Sequence, residues 1–323
     1  MGVVHFLNVR EGDCSIIQHT SGRITVIDIC NGNSPTPVET GLFEHVYDTI
    51  LGNYHQKEYP VNPITYLKLM GVENIWRFIL THPDMDHMDG LNQLCNEFKV
   101  YNFWDTGNKK KMGAFDGSRY KKEDWYRYQE VRKKALFLYD GAIGRFYNCD
   151  NEQKTGNGDY LQILCPTKKL VDEANENDNY NNASYVILYN ENGRKILFSG
   201  DAEEREWDVL LDKYKDLLRN IDVLISPHHG RKSGGNDMFL DILRPKLTLF
   251  GNAKSKDLNY SAWYNRGLRV YTNNQGGSFV LVHRDNWIDL YCTYENFAKR
   301  VNSLSKYNRN YRAWFMAAFN KGC

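Results

Sequence analysis

The stretch Ile79-Leu80-Thr81-His82-Pro83-Asp84-Met85-Asp86-His87-Met88-Asp89-Gly90 decides the prediction of the fold. Five side chains able to bind a metal ion fall within the eight residues 82–89, directly after an apolar run. Placing carboxylates and imidazoles close together costs free energy, through repulsion and lost hydration, unless they bind a shared divalent cation. The stretch therefore predicts a metal site at the end of a buried strand. The alternative is a solvated acidic turn that carries two histidines.

The composition describes an ordinary globular chain. Its 323 residues suit one large domain or two modest ones, and 41% hydrophobic content is enough for a core. The net charge of +1 gives no whole-molecule argument for a nucleic-acid partner. The 7 cysteines include no C-x-x-C pair, which favours a reducing compartment. We find no apolar run of about 20 residues and no signal-peptide pattern, so we expect a cytoplasmic protein without membrane contact.

The chain up to residue 80 predicts strands over 3–8, 13–18 and 23–28, and then a helix-like piece near 43–51. A helix is predicted over Pro63–Leu69, because Asn62 can cap it and Pro63 suits the first helical position. A buried strand over Glu73–Leu80 leads into the opening stretch. Asp28, at the end of its strand, is either a turn former or a group that orients a ligand histidine.

Two later strand ends carry the same kinds of residues. A hairpin over 184–198, turning at Asn192-Gly193, ends in Ser199-Gly200-Asp201. The apolar strand Asp222–Ile225 ends in Ser226-Pro227-His228-His229-Gly230. Functional side chains collect at strand C-termini, where loops converge. Three such ends in one chain indicate a shared metal site.

Two regions do not fit this pattern of strands that end in possible ligands. Between residues 109 and 134 there are ten basic and four acidic side chains, a local excess of six positive charges, interleaved with Trp125, Tyr126 and Tyr128. This segment either contacts phosphates and bases or is a solvated helix with its aromatic residues turned inward. The apolar spacing over 294–320 predicts an amphipathic helix, docked on the domain or open to a partner.

These motifs resemble those of the metallo-β-lactamase superfamily. The run from His82 to His87 is similar to the H-x-H-x-D-H motif, with Asp84 in place of the second histidine. The variant H-P-D-x-D-H-x-x-G resembles the hydrolase domain of ComEC, a competence DNA-uptake protein. Further segments resemble that branch: Phe6-Leu7-Asn8-Val9-Arg10-Glu11-Gly12-Asp13, Ile24–Asp28, Asn181–Leu188, Phe198–Glu203, Pro227–Gly230 and Thr272–Val280.

The resemblance implies an α/β fold, an αββα sandwich with two divalent metal ions at one edge between the sheets. It implies a hydrolase domain over residues 1–293, with a basic helical insertion at about 105–145, and a C-terminal helical extension over 294–323. The membrane channel of ComEC has no counterpart in the chain. A stand-alone hydrolase module is therefore expected.

By motif position, the resemblance assigns the metal ligands. Asp86, His87 and His228 would bind one ion, His82 and Asp84 the other, and Asp201 would bridge them. His229 would replace His228 as ligand or carry a proton. The superfamily usually supplies a further histidine near Asn181-Asn182-Ala183-Ser184, which this chain lacks. The resulting oxygen-rich site favours Mn²⁺ or Mg²⁺ over Zn²⁺ and predicts one weaker site.

The expected reaction is hydrolysis of a phosphodiester in DNA, RNA or a nucleotide by a metal-bound hydroxide. Asp86 would orient the hydroxide, and His229 would act as the acid. Arg231 and Lys232 would grip phosphate oxygens, unless they form a merely exposed loop, and Asn182 and Ser184 complete the predicted substrate contacts.

Two other functions remain open. One is hydrolysis of a small acyl substrate such as a lactone or thioester. The other is a non-catalytic metal-binding recognition module in a defence or uptake system. We further expect that the C-terminal helix could bind a protein partner or a second copy of the chain.

Overall fold

Two β-sheets face each other across an apolar core in the computed structural model of the chain, which describes residues 1–35, 53–144, 159–232 and 236–320. The strands of the first sheet lie in the order β15-β16-β14-β13-β1-β2-β3-β4-β5-β6. They are β1 Val3–Phe6, β2 Ser15–Gln18, β3 Ile24–Ile27, β4 Asn74–Ile79, β5 Lys99–Asp105, β6 Leu136–Phe137, β13 Phe279–Arg284, β14 Trp287–Cys292, β15 Tyr307–Asn308 and β16 Ala313–Asn320.

The second sheet has the order β12-β11-β10-β9-β8-β7. Its strands are β7 Leu161–Cys165, β8 Val186–Glu191, β9 Arg194–Phe198, β10 Val223–Ile225, β11 Leu247–Phe250 and β12 Val270–Thr272. The turn between β8 and β9 falls at Asn192-Gly193, as predicted, and both residues have positive φ, 54° and 74°. Two consecutive positive φ values match the twist of a tight hairpin.

Helices cover the outer face of each sheet. Side chains of α1, α2 and α3 pack on the first sheet through Leu67, Leu91 and Trp125. Side chains of α5 and α7 pack on the second sheet through Trp207 and Trp263. The predicted αββα sandwich is thereby confirmed. The helices are α1 Pro63–Leu69, α2 Leu91–Glu97, α3 Lys122–Val131, α4 Lys168–Asn177, α5 Glu204–Tyr214, α6 Phe239–Leu243, α7 Tyr260–Tyr264, α8 Asn273–Gly276 and α9 Glu295–Val301.

The start of α1 illustrates how local sequence sets an element. Asn62 Oδ1 accepts hydrogen bonds from the backbone N–H groups of Ile64 (2.9 Å) and Thr65 (3.2 Å), and Pro63 occupies the first turn. The first N–H groups of a helix have no partner within it, so such a cap contributes about 1 kcal/mol. This helix was predicted with the same bounds and the same cap.

The C-terminal extension is only partly helical, which corrects the prediction. Helix α9 covers Glu295–Val301, but Ala313–Asn320 forms β16, which pairs antiparallel with β14. Met316 faces the core between the sheets, and Phe315 packs on the outer apolar cluster. The open edge of β14 presents backbone groups that need partners, and satisfying them outweighs the helix-like apolar spacing. The expected division of the chain at residue 293 stays a prediction.

Within the described ranges, the structure contains no helix that combines the length and apolarity needed to cross a bilayer. The helix-like piece predicted near 43–51 lies outside the described residues, as do the end of the insertion at residue 145 and the tail residues 321–323.

Candidate metal centre

Loops after four strands meet at one edge of the two sheets. Asp28 follows β3, His82 follows β4, Asp201 follows β9, and His228 and His229 follow β10. Strands β3 and β4 run parallel, as do β9 and β10. Because parallel neighbours end at the same sheet edge, the four loops are brought together. The structure thus places the three ligand-bearing strand ends in one site.

The carboxylate of Asp201 separates the surrounding histidines into two pairs. Its Oδ1 atom lies 3.3 Å from His87 Nε2 and 3.6 Å from His229 Nε2. Its Oδ2 atom lies 3.7 Å from His82 Nε2 and 3.6 Å from His228 Nε2. Asp201 therefore stands between two positions for a cation.

One further aspartate joins each pair. Asp86 Oδ2 lies 3.7 Å from His229 Nε2, and Asp84 Oδ2 lies 4.0 Å from His82 Nε2. We call Asp86, His87, His229 and Asp201 Oδ1 the inner donor set. We call His82, Asp84, His228 and Asp201 Oδ2 the outer donor set.

This arrangement differs from the expected pairing of the two adjacent histidines. His229, rather than His228, lies with Asp86 and His87. His228 instead contacts the Oδ2 atom of Asp201, on the same side as His82. It supplies an imidazole to the donor set from which the superfamily histidine is missing.

The buried donors fit a divalent cation. The side chains of His82, His87 and His229 are fully buried, and that of Asp201 is 4% exposed. Among the described residues, the Nε2 atoms of these three histidines and Asp201 Oδ1 have no hydrogen-bond partner. A buried polar atom without a partner costs about 1–3 kcal/mol. Donors sharing one cation lie roughly 3–3.5 Å apart. The donor atoms of Asp86, His87 and His229 lie within 4.8 Å of one another, as do those of His82, His87 and Asp201.

Aspartates lie behind the histidines of the inner donor set. Asp28 Oδ2 lies 2.8 Å from His87 Nδ1, and Asp28 is itself held by hydrogen bonds from the N–H (2.8 Å) and hydroxyl (2.7 Å) of Thr81. Asp13 Oδ1 lies 3.0 Å from His229 Nδ1. A carboxylate at Nδ1 leaves Nε2 directed at the shared centre. Asp28 thus lies beside a candidate ligand histidine, and its orienting role stays a prediction.

Asp13 was missed as a site residue. It closes the opening segment that resembles the superfamily, directly after Gly12. Its place at the end of that segment, which begins at Phe6, could have identified it as a site residue from the sequence.

The protonation of the two donor sets differs in the metal-free protein. Burial opposes a charge on His87, but the carboxylates of Asp201 and Asp28 raise its pKa well above the ordinary value. Burial also opposes a charge on His229, yet Asp13 and Asp201 raise its pKa to about 10. By contrast, burial lowers the pKa of His82 and of His228. These shifts favour the charged imidazolium in the inner donor set and the neutral imidazole in the outer one.

The backbone at the adjacent histidines is unusual. His228 and His229 both have positive φ, 50° and 56°. Non-glycine residues in this region cost about 1–3 kcal/mol each and persist where the surroundings hold them. A tight turn of this kind allows consecutive side chains to reach opposite oxygens of Asp201. Gly230 follows, and a Cβ there would lie 2.3 Å from Phe250 Cδ2, so the turn also needs glycine.

One lysine of the basic insertion reaches the outer donor set, which sequence reasoning did not identify. Lys110 Nζ forms an ion pair with Asp84 Oδ1 and lies 5.4 Å from the centre of the Tyr180 ring. The side chains of Lys110 and Asp84 are 28% and 34% exposed, so the outer set borders solvent.

Two arginines of the basic insertion have carboxylate partners within the fold. Arg127 pairs with Glu130 (2.7 Å) and Arg132 with the buried Asp105 (3.0 Å). Trp125 and Tyr128 are buried, in agreement with the inward-turned interpretation, whereas Tyr126 is exposed.

The predicted substrate contacts are spread over different environments. Ser184 is buried, and its Oγ accepts a hydrogen bond from the N–H of Asp201 (3.3 Å), so it supports the Asp201 loop. Asn182 donates to Glu203 Oε2 (3.0 Å). Arg231 lies 3.8 Å from Glu11, and the N–H of Lys232 donates to the carbonyl of Asp257 (2.9 Å). Substrate roles for all of these residues stay predictions.

Comparison with known proteins gives one sequence relative of interest. The chain is 22% identical over 229 residues to ComE operon protein 3 of Bacillus subtilis (strain 168). The match covers 69% of this chain and only 26% of that protein, so the chain corresponds to about a quarter of its relative. This match confirms the predicted ComEC-like resemblance. No protein-family profile matches the chain.

Among solved structures, the similar ones are hydrolases of the metallo-β-lactamase superfamily. Tm1679, a metal-dependent hydrolase of the β-lactamase superfamily, is 10% identical, with a TM-score of 0.47 over 86% of this chain and 98% of that one. A diphosphatase of the PhnP family is 11% identical, with a TM-score of 0.39 over 87% of this chain and 97% of that one.

Proposed function

We propose that the chain is a metal-dependent hydrolase that cleaves phosphodiester bonds in DNA, RNA or a nucleotide. The observation that carries this proposal is the division of donors by Asp201. Two donor sets share one bridging carboxylate and lie in a single site. Such paired sites suit displacement at phosphorus, because charge develops on both the attacking and the leaving oxygen.

Each donor set has a defined composition. The inner set would hold one ion through Asp86, His87 and His229, and the outer set a second through His82, Asp84 and His228. A pair of divalent ions supplies two effects when bound: it lowers the pKa of water and screens the charge of the phosphodiester. Each set offers two imidazoles and two carboxylates, and the preference for Mn²⁺ or Mg²⁺ over Zn²⁺ stays the prediction made from the sequence.

The surrounding residues have separate tasks. Asp86, 22% exposed, lies at the solvent side of the inner set and is placed to orient an attacking water. Lys110, paired with Asp84 at the edge of the outer set, can hold a phosphate oxygen as a point charge. His229 has Nδ1 against Asp13 and Nε2 within the donor set, which favours a ligand role over the proton carrier predicted from the sequence.

A phosphodiester substrate is favoured by the ComEC-like resemblance and by cations near the site. Lys110 comes from the basic insertion and reaches a site carboxylate, so the insertion and the site form one surface. A lactone or thioester would not need this positive charge.

The test is hydrolysis of bis-p-nitrophenyl phosphate and of single-stranded DNA with added Mn²⁺. We expect activity in the wild type and its loss in Asp86→Ala/His87→Ala. The matched control is Asp212→Ala/Asp216→Ala, which removes two exposed carboxylates outside the site and outside the groove described below. If the wild type binds metal but hydrolyses neither phosphodiester, the proposal is wrong, and hydrolysis of a lactone or thioester panel would identify the acyl alternative.

A further inference from the structure

A groove of about 500 Å³ lies beside the metal centre. Four separate parts of the chain form it, and its volume is in the range of small-molecule and nucleotide sites. Its lining consists of Arg10, Glu11, Lys57, Glu58, Arg119, Tyr120, Asn252, Ala253 and Lys254.

The groove concentrates positively charged side chains. Arg10, Lys57, Arg119 and Lys254 line it, and within the described residues none of them forms an ion pair with a carboxylate. Unpaired cations gathered from distant parts of a chain attract a polyanion, because no internal carboxylate neutralises them.

Both acidic residues of the groove already face other basic groups. Glu11 Oε2 lies 3.8 Å from Arg231, and Glu58 Oε1 lies 3.0 Å from His55 Nδ1. Even if both carboxylates are counted in full, four cations against two acidic groups leave an excess of two positive charges.

The groove adjoins the metal centre through the segment Glu11-Gly12-Asp13. Gly12, next to Glu11, packs so closely on the loop of the inner donor set that a Cβ there would lie 2.3 Å from the carbonyl oxygen of Asp86. Asp13, one residue further, contacts His229. Glu11 and Gly12 also form β-bridges with Asn252, another residue of the groove lining. A strand in the groove would therefore lie next to the loop that carries the inner donor set.

An aromatic ring lies among these cations. Arg119 donates to the carbonyl of Glu11 (2.9 Å), and its guanidinium lies 4.8 Å from the centre of the Tyr120 ring. Tyr120 is half-buried, so its ring is held in the groove wall. Bases of any identity stack on such rings, while neighbouring cations bind the phosphates.

We propose that this groove binds single-stranded nucleic acid and leads it to the metal centre, with Arg119 and Lys254 on phosphates and Tyr120 stacked on a base. The proposal rests on the phosphodiesterase function proposed above and adds the substrate class, a polymer rather than a mononucleotide. An acidic peptide is the competing occupant. It could satisfy the cations but would gain nothing specific from a stacking ring.

The test measures binding of a fluorescein-labelled 12-nucleotide oligothymidylate by anisotropy, in EDTA, across a salt series. For Arg119→Gln/Lys254→Gln we expect at least tenfold weaker binding and a salt slope reduced by about 1.4, since each phosphate contact on a single strand contributes about 0.7. The control is Lys215→Gln/Arg269→Gln, which removes the same charges from exposed positions outside the groove. Equal affinity and slope in the two double variants would overturn the proposal.

Tyr120 separates stacking from charge. Tyr120→Ala should weaken oligothymidylate binding on the order of tenfold, whereas Tyr120→Phe should retain it. Equal loss in both variants, or competition by a poly-glutamate peptide as effective as that by unlabelled oligothymidylate, would overturn the nucleic-acid assignment. Hydrolysis of bis-p-nitrophenyl phosphate by the wild type is scored separately. Its absence would remove the proposed function, and unaltered oligothymidylate binding by the groove variants would remove the groove.

Discussion

The inner and outer donor sets share Asp201 but are built differently. The histidines of the inner set are buried, carboxylates of Asp28 and Asp13 lie beside their Nδ1 atoms, and the raised pKa values of these histidines favour the charged form. The outer set borders solvent: His228 is 20% and Asp84 is 34% exposed, and Lys110 pairs with Asp84. An oriented donor set loses less freedom on binding a cation, and a lysine at a carboxylate competes with one. We therefore expect the inner ion to bind more tightly once its histidines have released their protons, so the difference between the two ions should grow with pH.

The largest effect should come from removing the two adjacent histidines one at a time, which tests the difference between the two donor sets. His229→Ala should abolish the tight site. Metal affinity should fall by more than the roughly 10–100-fold that is typical when a residue hydrogen-bonded to a metal ligand is lost. His228→Ala should leave one tightly bound ion per chain and weaken the second. Metal content after dialysis and calorimetric titration would measure both. Loss of the tight ion in His228→Ala, with His229→Ala unaffected, would reverse the assignment.

A smaller effect should follow from pH, because the inner histidines must release protons to bind a cation. The folded pKa of His229 is about 10, above the ordinary 6.5. Its protonated contacts therefore stabilise the metal-free fold fully below about pH 6.5 and are lost as the pH rises towards 10. Metal binding has the opposite dependence, gaining up to about tenfold per pH unit for each proton released.

The measurement is the rise in melting temperature on adding Mn²⁺, which we expect to be larger at pH 8.5 than at pH 6.5. His229→Ala should flatten this difference, and the exposed-site variant His55→Ala should keep it. If the rise does not change with pH in the wild type, the inner histidines lose no protons on binding metal and are therefore already neutral at pH 6.5.

The smallest effect concerns Lys110, because its ion pair with Asp84 is partly exposed and such pairs contribute about 1 kcal/mol or less. Lys110→Gln should tighten the weaker metal site roughly two- to tenfold and raise KM for a phosphodiester. Lys109→Gln is the matched control, since the side chain of Lys109 is exposed and forms no ion pair within the described residues. Unchanged metal affinity in Lys110→Gln would remove the competition that we assign to this lysine.

The predictions from the sequence succeeded where chemistry is local. The cap of α1, the hairpin turn at Asn192-Gly193 and the strand that ends before His82 each depend on a few adjacent residues. The same reasoning gave a wrong prediction for the C-terminal strand. Residues Ala313–Asn320 have helix-compatible apolar spacing, and only the open edge of β14, contributed by another part of the chain, selects the strand.

Local patterns in the sequence were enough to predict the candidate ligands and their places at strand ends, because apolar runs and the residues that follow them are adjacent in the chain. The sandwich was predicted from the resemblance of these motifs to those of the metallo-β-lactamase superfamily. Only the tertiary structure decided how those ligands divide. The left-handed backbone of His228 and His229 and the position of Asp201 between them send neighbouring rings to different oxygens. Likewise, the four cations of the groove come from residues 10, 57, 119 and 254. The physical reason is that distances across the fold depend on how the two sheets pack, which no local pattern specifies.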